Sequence, residues 1–277
     1  MVAEFDLTLS DGRTLHAYDT ETGDLAVFWH HGTPQTGASP VPLLAAAERQ
    51  GIRWVSHDRP GYGGSTRQPG RTIGSVAPDV AAVADALGIE RFAALGASGG
   101  GPHVLACAAL LPERMLAGVS IAGLAPIDAE GLDLYAGMGS SGMAELQAAA
   151  AGPEALAAYL PTAEFDPDIF TPADHAALDG PWGWVGKLAQ QTMAGGFDGM
   201  VDDDVALVTP WGFDVAGITA PMLFVHGGQD RMVPPAHSTW LAGHCRSAEL
   251  RPRPDDGHIS VLAQCESAME WLRDHAG

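Results

Sequence analysis

Short apolar, β-branched runs alternate with stretches of helical period through most of the chain, which predicts a mostly parallel sheet covered by helices. Two strands open the pattern, residues 4–9 and 14–19, joined through Asp11-Gly12, a pair suited to a tight hairpin. A strand over 26–30, a helix around 43–50, a strand over 53–57 and a helix over 76–87 follow. Residues 91–96 read as a central strand, 102–111 as a buried helix and 117–122 as the next strand. From Leu124 to Phe213 the rhythm stops, and Ala, Gly, Pro and Asp dominate, with short helical pieces at 143–150 and 154–160. It resumes with a strand over 222–226, a helix over 236–244, a strand over 248–253 and a closing helix over 259–274. The expected fold class is α/β, with 1–123 and 214–277 forming one core and 124–213 inserted at an edge of its sheet. No repeat recurs at a fixed period.

Chemistry enters at the turn between the central strand and its helix, which reads Gly96-Ala97-Ser98-Gly99-Gly100. With 35 glycines in the chain, a Gly-x-Ser-x-Gly string carries little alone. Its place carries more. A serine on a sharp strand-to-helix turn is pushed out at the sheet's C-terminal edge, and its flanking residues must be tiny. Gly96 and Gly100 meet that need, and Pro102 suits a first helical turn, where no N–H is required. A serine hydroxyl needs a base, and the base needs a third group to hold it. Candidates for both stand at strand ends downstream of Ser98. Asp230 follows one strand through Gly227-Gly228-Gln229, and His258 follows the next through Pro254-Asp255-Asp256-Gly257. Asp128, Asp255 and Asp256 are rivals for the acid, the last two awkwardly near His258 in sequence. Two backbone donors complete the set: the N–H of Gly99, and that of Thr33 in His30-His31-Gly32-Thr33-Pro34, since Pro34 has none.

Composition then narrows the class. The chain has 277 residues, 46% hydrophobic and 17% charged, which is ample for a globular core. A formal charge of −20 excludes nucleic acid as a partner, because phosphates demand a basic surface. No run approaches the roughly 20 apolar residues of a membrane span. Residues 1–6 show neither the basic nor the apolar region of a secretory signal, and cytoplasm is the expected location. Three scattered cysteines, Cys107, Cys245 and Cys265, fit reduced core thiols rather than a disulfide framework. The histidines show no metal-ligand spacing, so neither metal nor cofactor is expected.

Taken together, the His31-Gly32-Thr33-Pro34 loop, the loop from Asp58 to Ser65 (Asp-Arg-Pro-Gly-Tyr-Gly-Gly-Ser) and the serine turn give the chain a resemblance to the α/β-hydrolase superfamily. The likeness is to its small capped members and extends over nearly the whole chain. It implies a serine esterase-like hydrolase with a Ser98–His258–Asp230 triad and an oxyanion hole at Gly99 and Thr33. It implies that 124–213 is a helical cap between the sixth and seventh strands, with Trp182, Trp184, Met193 and Phe197 as pocket residues or as the cap's own core. Asp58 and Arg59 would shape the site wall. Ser98 stands where epoxide hydrolases and haloalkane dehalogenases carry aspartate, which argues against those activities. Gly99 after the serine argues against a prolyl iminopeptidase.

The expected activity is cleavage of an ester, thioester or lactone through an acyl-enzyme on Ser98. Amide or C–C hydrolysis and perhydrolysis are alternatives on the same triad, and a low-turnover ligand-binding protein is an alternative of another class. The cap segment holds fourteen acidic residues against one base, Lys187. A field of that sign at an entrance would favour small neutral or cationic substrates over anionic ones. A solvated outer face that serves solubility is the competing explanation.

Overall fold

The computed structural model describes residues 2–164 and 166–276. Eight strands form one sheet: β1 Ala3–Thr8, β2 Thr14–Asp19, β3 Leu25–His30, β4 Ile52–His57, β5 Phe92–Ala97, β6 Met115–Ile121, β7 Met222–Gly227 and β8 Ala248–Arg253. Their order is β1-β2-β4-β3-β5-β6-β7-β8. β2 runs antiparallel to both β1 and β4, and every later pairing is parallel. The opening hairpin turns where the sequence indicates. Gly12 takes φ +87°, and Asp11 Oδ1 accepts the Arg13 N–H at 3.0 Å.

The core helices are α1 Leu44–Gln50, α2 Val76–Ala86, α3 Gly101–Leu110, α9 Ala236–His244 and α10 Cys265–His275. β5 is buried at every position, as a strand covered on both faces must be. One face packs Phe28, Phe92 and Phe224 against α2 and α3, and the other packs Trp29, Trp54 and Leu95 against α1 and α10. All three cysteines are buried and free.

Among the described residues, five further helices lie between β6 and β7: α4 Ser140–Ala150, α5 Pro153–Tyr159, α6 Pro172–Asp179, α7 Gly183–Ala194 and α8 Asp198–Leu207. The sequence pattern indicates α4 and α5 and misses the other three. The closing helix is also split. Ser260–Gln264 forms a 3₁₀ turn before α10, because the chain leaving His258 is tied to a carboxylate of the insertion, described below. Strand ends differ from the expected ones by a residue or two, as at 3–8 for 4–9 and 115–121 for 117–122.

The Phe28–Phe92 pair, with ring centroids 4.7 Å apart, joins β3 to β5 at the centre of the sheet. Phe28→Ala should cost about 3–5 kcal/mol, the usual loss for a buried aromatic truncated to alanine. Urea unfolding at constant m-value checks it; a loss below about 1 kcal/mol would contradict this packing.

Candidate active site

Ser98 heads the 3₁₀ turn between β5 and α3 and has φ +53°, a left-handed conformation rare for a residue with a side chain. The strain is held by close packing around the turn. A Cβ on Gly96 would collide with Gly100, and one on Gly100 would collide with the His30 carbonyl. Small residues are therefore obligatory on both sides, and Ser98 is left half-buried at the C-terminal end of β5.

Asp230 and His258 arrive from the ends of the two strands beyond β6, namely β7 and β8. His258 Nε2 lies 3.0 Å from Ser98 Oγ, and His258 Nδ1 lies 2.7 Å from Asp230 Oδ2. The other Asp230 oxygen accepts the Met232 and Val233 N–H groups at 2.8 and 2.9 Å, which fixes the carboxylate's direction. Among the rivals, Asp128 and Asp255 are exposed, and Asp256 pairs with Arg253. Of the four carboxylates, it is Asp230 that touches His258. Burial opposes a charge on either partner, yet their mutual attraction prevails. It holds Asp230 well below the carboxylate range and lifts His258 above the ordinary histidine value.

Thr33 sits against the turn. A Cβ on Gly99 would lie 3.4 Å from Thr33 N and still closer to its Oγ1, so the two proposed donors, Gly99 N–H and Thr33 N–H, share one corner. Among the described residues, no backbone carbonyl takes the Thr33 N–H.

Two buried carboxylates that the sequence pattern does not single out complete the surroundings. Asp174 of α6 accepts from Ile259 N, Ser260 N and Ser260 Oγ at 2.8, 2.8 and 2.9 Å, seizing the chain just past His258. Its other oxygen accepts from Thr171 N and Thr171 Oγ1 as the capping box of α6. Thr171-Pro172-Ala173-Asp174 was the available signal. Asp203 of α8 is bound by Arg59 and Arg71, and accepts from Tyr62 OH at 2.9 Å and Thr33 Oγ1 at 2.8 Å. Burial alone would raise its carboxyl; the two guanidiniums hold it well below the usual range.

These contacts change the expected field of the insertion. Asp203 is neutralised by arginines of the core, Arg67 pairs with Asp198 and Asp202, and Asp174 is buried in hydrogen bonds. Burial and the neighbouring Glu145 push Asp204 well above the carboxylate range, toward its neutral form. Four of the fourteen acids, Asp174, Asp202, Asp203 and Asp204, are thus buried and eight are exposed, so the outer surface of the segment is acidic but less so than the sequence count implies. The four expected pocket side chains do not converge either. Trp182 and Trp184 join the apolar cluster on the α1/α10 face, Phe197 packs against the opposite cluster, and Met193 is 39% exposed. Asp58 accepts from Gly37 N, Gly64 N and Tyr18 OH, a loop-bracing role. No group of three or more His, Cys, Asp or Glu among the described residues is placed to hold a metal ion.

Comparison with known proteins agrees with this architecture. The family model described as "alpha/beta hydrolase fold" matches residues 26–162. A bifunctional esterase/perhydrolase of Acinetobacter calcoaceticus is 34% identical over 113 residues, 40% of this chain and 41% of the relative. The match thus spans about two fifths of that curated relative's length. A hydrolase structure from Pseudomonas aeruginosa superimposes with a TM-score of 0.72 at 21% identity, covering 99% of this chain and 98% of the other. An esterase from Thermogutta terrifontis gives 0.71 at 22% identity, covering 99% and 100%. At those identities the likeness speaks for the fold alone. No helix among the described residues is long and apolar enough to cross a membrane. From its sheet order, its strand–serine–helix turn and these matches, the chain has the α/β-hydrolase fold.

Proposed function

We propose that the chain is a serine hydrolase that cleaves a carboxylic ester-like bond in a small molecule, whether ester, thioester or lactone. The observation that carries this reading is the unbroken relay from Ser98 Oγ through His258 to Asp230, at 3.0 and 2.7 Å. Ser98 Oγ attacks the carbonyl carbon while His258 Nε2 takes the hydroxyl proton. The carbonyl oxygen becomes an oxyanion held by the N–H groups of Gly99 and Thr33. Collapse of the tetrahedral intermediate expels the alcohol or thiol, which leaves with the proton from His258, and an acyl group stays on Ser98. Water then attacks the acyl carbon, giving a proton to His258, and the acid departs as Ser98 regains its hydrogen. Asp230 holds the imidazole in the tautomer with hydrogen on Nδ1 and stabilises its charged form.

The insertion is proposed to act as a cap over this site. The bifunctional relative favours one variation: hydrogen peroxide in place of water at the second step would release a peracid. A binding protein without turnover would have no use for a strained serine with an aligned base, so the enzyme reading is preferred.

Ser98→Ala should lower kcat on p-nitrophenyl esters by about 10³-fold or more while circular dichroism stays unchanged. It should also abolish labelling by a fluorophosphonate probe. Labelling that persists in this variant would move the nucleophile elsewhere.

The base must be neutral to accept a proton, so kcat/KM should rise with pH through the His258 ionisation. Because Asp230 lifts that ionisation, the midpoint should lie above the ordinary histidine value of about 6.5. Asp230→Asn should shift the midpoint down and cut kcat by up to about 10⁴-fold, the loss seen in serine proteases, whereas Asp128→Asn should do neither. A midpoint unmoved by Asp230→Asn would remove Asp230 from the relay.

A further inference from the structure

The buried carboxylate of Asp203 lies in the insertion, yet its contacts lead to the loop that carries Thr33. Arg59 is the link. Its guanidinium meets Asp203 on one side and donates from Nη1 to the His31 carbonyl at 2.6 Å and from Nη2 to the Gly32 carbonyl at 3.3 Å. The Gly32 carbonyl also accepts from His31 Nδ1 at 2.8 Å. The His31 ring is neutral, since burial and the nearby Arg59 hold its ionisation well below the ordinary range, and its Nε2 accepts the Arg59 N–H at 3.2 Å. The proton therefore sits on Nδ1, aimed at Gly32 O.

A trans peptide is planar, with its C=O and N–H pointing in opposite directions. The Gly32–Thr33 bond is trans, so pinning the Gly32 carbonyl toward Arg59 turns the Thr33 N–H away from it. Thr33 Oγ1, bonded to Asp203 Oδ2 at 2.8 Å, fixes the same residue from its side chain.

We propose that Asp203 is a positioning residue for the oxyanion hole: it holds Arg59 and Thr33 so that the Thr33 N–H is aimed at the developing oxyanion beside Gly99. Seating of α8 on the core and completion of the oxyanion hole are then one event. The assignment rests on the ester-cleaving reading of the Ser98 site. A misaimed donor leaves ground-state binding nearly intact and weakens the transition state, so the loss falls on kcat.

The test uses the full chain with Asp203→Asn, Arg59→Lys and Thr33→Val. Arg67→Gln serves as the control, since Arg67 ties the same helix through Asp198 and Asp202 without touching the Thr33 loop. For each variant, kcat and KM on p-nitrophenyl butyrate are measured with the inhibition constant of an alkyl trifluoromethyl ketone, whose adduct places an oxyanion in the same hole. Asp203→Asn and Arg59→Lys should lower kcat by about 10–100-fold with KM changed only a few-fold. They should weaken the ketone by a matching factor, Thr33→Val less, and Arg67→Gln not at all. Lysine keeps the charge of Arg59 but not the fork that reaches two carbonyls and a carboxylate. Should Asp203→Asn fail to fold, Arg59→Lys and Thr33→Val decide: parental kcat and ketone affinity in both overturns the role. Losses in the Asp203 and Arg59 variants matched by Arg67→Gln would overturn it too, by showing that any loosening of α8 suffices. A parent that neither turns over the ester nor reacts with a fluorophosphonate refutes the ester-cleaving reading itself, and this role falls with it.

Discussion

The 3.0 Å contact between Ser98 Oγ and His258 Nε2 joins residues 160 positions apart, and it requires β5, β7 and β8 to end at one edge of the sheet. Parallel strands deliver their C-terminal loops to the same side, which is why open α/β sheets place ligands there. The same requirement explains the glycines around Ser98, because a serine projecting from that edge forces the chain into a turn with no room for neighbouring side chains. It also explains the short tether of Asp230, whose second oxygen is spent on its own loop. Each element of the relay is held by backbone before it is used for chemistry.

Charge in the interior follows the same logic. An unpaired buried carboxylate would cost several kcal/mol, so Asp174 and Asp203 persist only because each is surrounded by donors. Their donors are the chain after His258 and the arginines behind Thr33. The insertion is therefore bound to the core through groups that sit directly behind the reacting atoms. Its apolar contacts point the same way: α4, α5 and α8 share the core on one sheet face, while Trp182 and Val185 join that on the other. Truncating either carboxylate would do more than remove a surface charge; it would leave cations or N–H groups unpaired in the interior.

Much of this was legible in the sequence and some was not, for physical reasons. Strands announced themselves because buried parallel strands are runs of Val, Ile, Leu and Ala between turn residues, and the relay because its order and strand-end positions are constrained by topology. The insertion was harder. Its Asp202-Asp203-Asp204 run reads as a solvated face, since the arginines that neutralise it lie more than 130 positions away. The same run has poor helix propensity, and tertiary ion pairs override it in α8. Trp182, Trp184, Met193 and Phe197 are close in sequence, yet the helical twist of α7 and the turn after it send them to different surroundings, which sequence spacing does not reveal. Net charge counted by segment overstates the surface charge where acids such as Asp202, Asp203 and Asp204 are buried.

The central claim is that an acyl group is transferred to Ser98, and a carbamate that deacylates slowly tests it most directly. Incubation with p-nitrophenyl N,N-dimethylcarbamate should release about one equivalent of p-nitrophenol per enzyme, with the dimethylcarbamoyl mass on the peptide carrying Ser98. A modification found on another residue, or continued release of p-nitrophenol with Ser98 unmodified, would contradict the account.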